Sequence, residues 1–237
     1  LNGQSATLRH LRSARSATSV ALATGALTLS ARNNSSSNYA GTITGAAGSS
    51  VTVNGSGKVY LTGNNSGFSG STSVTNGTLN VSGSNNVLGS GAVSVSSAGN
   101  FQLQGGITLG NAVTINGTGT SGNGAIQNFA GNNTLSGSLT VAGSSRIESD
   151  AGTLTLGGNV GLGSSSLNVG GNANTNISGV ISGSGGISKD GAGTLTLSAS
   201  NTYTGATAVN AGTLVLGANN VLANTTAVSV AAGATFD

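Results

Sequence analysis

Arg146, Glu148 and Asp150 alternate around Ile147, and this is the one place in the chain where residue types and spacing suit acid–base chemistry. On an extended strand, alternate side chains share a face about 6.5 to 7 Å apart. Two carboxylates at that separation match the acid and base of an inverting glycoside hydrolase. The competing reading is a solvated strand with an exposed Arg–carboxylate contact, worth under about 1 kcal/mol. In the sequence no aromatic platform and no second carboxylate cluster accompanies the three residues, so the solvated strand is favoured and no catalytic residue is assigned.

Other chemistry is thinner. His10 is the only histidine and has neither a nearby Ser–carboxylate pair nor metal-ligand spacing. Gly183-Ser184-Gly185-Gly186 lacks the Lys-Ser/Thr and the following helix of a phosphate loop, and reads as a turn. Four acidic residues in all cannot supply the Gly-Gly-x-Gly-x-Asp array of a calcium-binding roll. Zero cysteines exclude thiolate metal sites and disulfides. No metal or cofactor site is assigned. Arg9, Arg12, Arg15 and Arg32 put four of the seven positive charges into the first 32 residues, a footprint that attracts acidic polymers. With a net charge of only +3 and no aromatic stacking platform between the arginines, they read as a solvated face. No specific nucleic acid is expected, and surface polysaccharide stays a candidate partner. Sequons such as Asn54-Gly55-Ser56 are expected by chance in a chain so rich in Asn, Ser and Thr.

The elements that position these residues follow from an unusual composition. The 237 residues include 42 Gly, no Pro, no Met and no Trp, and only 5% are charged. Too few charges exist to solvate a helical bundle, and collagen requires proline with Gly at every third position. Mean hydropathy of +0.14 with low net charge argues against disorder. No apolar run is long enough for a membrane-spanning helix, and the stretch Ala17–Ala23 is broken by Thr18 and Ser19, unlike the core of a signal peptide.

Apolar residues recur as alternating pairs: Leu27/Leu29, Val51/Val53, Val59/Leu61, Leu79/Val81, Val93/Val95, Leu139/Val141, Leu154/Leu156, Leu195/Leu197, Leu214/Leu216 and Val228/Val230. A period of two means strands, and flanking Gly, Asn and Ser limit them to about three to five residues. The chain also repeats itself. Val59-Tyr60-Leu61-Thr62 aligns with Leu195-Thr196-Leu197-Ser198, and Asn76-Gly77-Thr78-Leu79 with Ala211-Gly212-Thr213-Leu214, at an offset of about 135 residues. Residues 27–103 and 167–237 are therefore two copies of one unit within a single segment, 1–237. Repeated short strands with glycine-rich turns imply a solenoid.

The stretch Gly179 to Leu197, continuing through Asn201-Thr202-Tyr203-Thr204-Gly205 and Val209 to Gly217, resembles the autotransporter-associated β-strand repeat. Residues 41–83 carry a weaker copy, with Phe68 where Tyr203 stands. The resemblance implies an all-β, right-handed parallel β-helix in the secreted passenger of a large bacterial surface protein, with the outer-membrane anchor outside this chain. Coils of about twenty residues give about a dozen turns and a rod of about 55 to 60 Å.

Within that frame Phe101 points inward in phase with Leu103, Phe101 and Phe236 occupy equivalent sites, and so do Phe68 and Tyr203. Arg9, Arg12 and Arg15 fall on strand or turn despite the helical spacing of Leu8 and Leu11. Neither end carries a polar cap, so adjoining coils of the same polypeptide, or other copies of the chain, are expected to cover the ends. The functional expectation is a non-enzymatic extracellular stalk or fibre segment at the cell surface. An adhesin that binds carbohydrate or a partner cell is the alternative, with a polysaccharide-cleaving enzyme behind it.

Overall fold

A computed structural model describes residues 3–9, 12–13, 19–32, 35–223 and 226–237; His10 and Arg15 lie outside these. Among the described residues there are 26 strands and one short 3-10 turn, Thr120–Gly122. Among these residues no helix is long and apolar enough to cross a membrane. Strands pair in parallel with the coil before and the coil after, so the chain winds as a β-solenoid of about 10 turns. The crossover rule for parallel strands gives the winding its right hand.

The cross-section has three faces. Face one stacks Ser5–Arg9, Ala26–Ser30, the first part of Ser50–Leu61 and of Ser71–Val81, then Val93–Val95, Val113–Gly117, the start of Leu139–Ser149, Val160–Gly163 and Ile181–Gly183. Face two runs from Arg12–Ser13 and Ser36–Tyr39 through the second halves of the long strands, with Gly99–Gln104 and Ile126–Ala130 between them, to Leu167–Gly170, Ile187–Lys189, Thr207–Val209 and Val228–Val230. Face three opens with Ser19–Ala21 on Thr42–Thr44 and resumes as a seven-stranded sheet from Thr108–Leu109 to Thr235–Phe236. Arg9 and Arg12 thus lie on strands.

Three strands are longer than expected, Ser50–Leu61, Ser71–Val81 and Leu139–Ser149. The corner between faces one and two bends them without ending them, at register shifts such as that between Val53 and Asn54. The turn count also falls below a dozen. Ladder partners lie between 19 and 28 positions apart, so most corners and the loop around Thr120–Gly122 consume more chain than a twenty-residue coil allows. At about 4.8 Å per coil the rod is about 48 Å long.

Alternation builds the core. Nine of the ten apolar pairs put both members, or in Leu214/Leu216 the first, into the buried interior. Phe101 and Leu103 are fully buried in phase, as their spacing requires. Val228 and Val230, in the last described coil, stand 40% and 47% exposed.

The repeat copies are not in phase with the faces. Val59 lies on face two but its counterpart Leu195 on face three; Val93 lies on face one but Val228 on face two. Phe68 and Tyr203 are both buried, yet Phe68 bridges on face three and Tyr203 follows face one. Phe101 is buried on face two while Phe236, on face three, is 39% exposed. Equivalent aromatics therefore do not occupy equivalent sites. The second copy is rotated by one face, because the coils between the two add a third of a turn to a whole number.

Candidate functional site

The outer surface of face two collects most of the chain's chemistry. Between Arg32 and Asp237 the sequence holds six charged residues: Lys58, Arg146, Glu148, Asp150, Lys189 and Asp190. All six sit on a face-two strand or in the position just after one. These are three cations and three anions, and Arg12 adds a further cation to the first strand of the face. Face-two residues Tyr60, Asn80, Gln102, Gln127 and Glu148 stack one above the next in register, alternating with the inward Leu61, Val81, Leu103 and Ile147.

Arg146, Glu148 and Asp150 project from the outer surface around fully buried Ile147, as the alternation requires. Each is engaged. Arg146 pairs with Glu148 at 3.3 Å and with Asp190, two coils further along the ladder, at 3.6 Å. It also donates to Asn168 Oδ1 at 2.5 Å. Gly170 opposite Glu148 makes room for this guanidinium; a Cβ there would collide with it. Asn168 donates to Ser188 Oγ at 2.7 Å and to the Asp190 carboxylate, and Asn210 donates to Asp190 at 2.8 Å. Asp150 accepts from Gln127 Nε2 at 2.6 Å. Glu148 and Asp150 are thus held in two separate networks, and the arrangement is that of a neutralised ladder.

A second ladder runs from Asp150 in the opposite direction. Gln102 Nε2 donates to Gln127 Oε1 at 2.7 Å, and Asn80 Nδ2 donates to Gln102 and Gln104 at 3.3 and 3.2 Å. Asn80, Gln102 and Gln127 are buried although they face outward. Beside them the register slips between Leu103 and Gln104, which pair with Asn128 and Ala130. Phe129 is the extra residue of that bulge. Bulges re-aim side chains, and here the ring is expelled from the core to stand 41% exposed. The Lys58 ammonium lies 5.0 Å from the Phe129 centroid and 5.7 Å from that of Tyr60. Burial lowers the Lys58 pKa from its ordinary value.

Phe129, 17 residues before Arg146 in the chain, meets Lys58 and was not singled out by the sequence. Its only signal in the sequence is a polar stretch where an alternating strand was due. Lys189 was equally hidden. Its position in the strand is core-facing, stacked between Val169 and Val209, and it is 2% exposed. Its ammonium donates to the carbonyls of Asp190, Gly191 and Ala211 at 2.6, 2.8 and 3.2 Å. Desolvation lowers its pKa, with Asp190 raising it and Arg146 lowering it further.

The remaining candidates stay apart. Arg32 is exposed after Ala26–Ser30, while Arg9 and Arg12 belong to successive faces of the first coil. Gly183 to Gly186 form the corner between faces one and two, as a turn should. Among the described residues no three His, Cys, Asp or Glu side chains gather.

Fold and surface together define a parallel β-solenoid rod with one chemically distinct face. Residues 51–81 and 187–216 match the passenger-associated-transport-repeat family, and these two segments are similar to the repeat of autotransporter passengers. No curated protein and no solved structure matches the chain.

Proposed function

We propose that this chain is a β-solenoid stalk segment of an autotransporter passenger, working outside the cell as a structural rod without enzymatic activity. The observation that carries the reading is unbroken parallel stacking over about 10 turns in a chain whose two matched segments are passenger repeats. A solenoid of this kind transmits position along its axis, because each coil contacts only its neighbours. The last coil leaves Val228, Val230 and Phe236 exposed with open strand edges. In this reading a further parallel coil, from the same polypeptide or another copy, stacks there. Immunogold labelling of the host cell with antibodies to the purified chain tests the location. Labelling of intact cells is expected, and labelling only after permeabilisation overturns the proposal. Negative-stain images of the concentrated chain test the stacking, with end-to-end filaments as the expected result.

A further inference from the structure

We propose that the outer surface of face two around Phe129 binds a neutral polysaccharide. The starting point is the bulge. In a chain with seven aromatic residues, a phenyl ring has been taken out of the core and set on the surface by a one-residue insertion in a regular strand. Leaving the ring in water is unfavourable without an occupant, and bulges concentrate beside binding and active sites.

The neighbours define the occupant. Lys58 lies against Phe129 and also against Tyr60, which places two rings about one cation and fixes the orientation of the exposed one. Next to them is the carboxamide ladder, whose inner residues Asn80, Gln102 and Gln127 are buried and bonded in a row. Gln104 is half-buried and supplies further amide capacity at the rim. A flat apolar ring with the Gln104 amide, which both donates and accepts, at its rim suits a pyranose, whose C–H face packs on the ring while its hydroxyls meet the amide.

Charge removes the competing ligands. Nucleic acids and acidic glycans require a cationic track. Among the described side chains the one cation beside the ring is engaged with it, and Glu148, Asp150 and Asp190 lie further along the same face. A protein partner would want a cluster of apolar anchors, and Phe129 is the only large apolar side chain exposed on the described surface before the last coil. The straight, periodic face matches a linear polymer that runs along the rod.

Affinity electrophoresis of the whole chain through gels containing dextran, mannan, xylan, heparin or polygalacturonate tests this. Retardation by at least one of the three neutral polymers is expected, with Kd raised at least about tenfold in Phe129→Ala. Phe129→Trp should retain binding and Phe129→Leu should lose it, since a leucine keeps apolar area without a ring. Circular dichroism melting verifies that each variant stays folded, as an exposed bulge residue allows. Absence of retardation by every neutral polymer overturns the proposal. So does equal retardation of Phe129→Ala, or a preference for heparin or polygalacturonate.

Discussion

Asn65 and Asn201 show how single side chains hold this rod together where it has no strand. Asn65 Oδ1 accepts from the Ile43 N–H at 2.7 Å and its Nδ2 donates to the Val87 carbonyl at 2.6 Å, each partner 22 positions away. Asn201 does the same between Ile181 and Val221, at 2.8 and 3.0 Å and 20 positions away. A carboxamide is the chemical copy of a peptide unit, so it relays the ladder across a coil whose backbone turns aside. Asn65→Ala leaves one buried N–H and one buried carbonyl without that partner, and the expected loss is about 2 to 4 kcal/mol in urea unfolding. Asn201→Ala is expected to cost less, because the Val221 carbonyl keeps the Asn201 N–H at 3.0 Å. Equal losses would contradict the relay.

Lys189 carries a pH signature. Desolvation puts its folded pKa below the ordinary 10.5, so between the folded value and 10.5 the unfolded chain binds more protons than the native one. Stability from this residue is therefore reduced below the folded pKa and recovers as pH rises towards 10.5. Lys58 shifts the same way, while burial raises the pKa of Tyr203 and acts in the opposite sense at more alkaline pH. A comparison with Lys189→Met cancels both. The wild-type chain should gain stability relative to that variant as pH rises towards 10.5 in denaturant titrations, and a constant difference would rule the effect out.

At the level of elements, the corners decide the architecture. Gly77 bends Ser71–Val81 from face one to face two at φ +78°, where a Cβ would lie far inside van der Waals contact of the Gly55 carbonyl. Gly163 ends a face-one strand at φ +55° with open space around it. Gly163→Ala should cost only the left-handed conformation, about 1 kcal/mol, and Gly77→Ala much more, since the neighbouring coil must also move. Thermal melts of the two variants check the order, and similar shifts would mean that coil-to-coil approach at the corner is not limiting. The same corners explain how the second repeat copy sits one face on from the first. A repeat unit specifies strand, corner and relay in sequence, and any face can receive it, provided that inward positions stay apolar.

For the rod as a whole, nearest-neighbour stacking means that a coil can be removed. Val160 pairs with Leu139 and Ile181, and Leu167 with Ser145 and Ile187, so deletion of residues 160–180 lets Ile181 stack on Leu139 in register. The shortened chain should fold cooperatively, with a denaturant m-value reduced by about a tenth in proportion to the surface lost. A broad, non-cooperative transition would show that the coils are not interchangeable. Asp190 remains able to meet Arg146 in that variant, which keeps the ionic ladder closed.

Strand identity, the inward set including Phe101 and the parallel solenoid were legible in the sequence, because each rests on local alternation or on similarity between segments. The outward projection of Arg146, Glu148 and Asp150 follows from the same two-residue period. What alternation does not encode is how many residues each coil consumes. That number varies with every corner, slips at Val53/Asn54 and Leu103/Gln104, and accumulates along the axis. Only the tertiary structure therefore decided that charges spread over more than a hundred positions share face two, that Lys189 is buried in a cage of carbonyls, and that Phe129 leaves the core. These are products of register between distant coils, which no local pattern along the chain records.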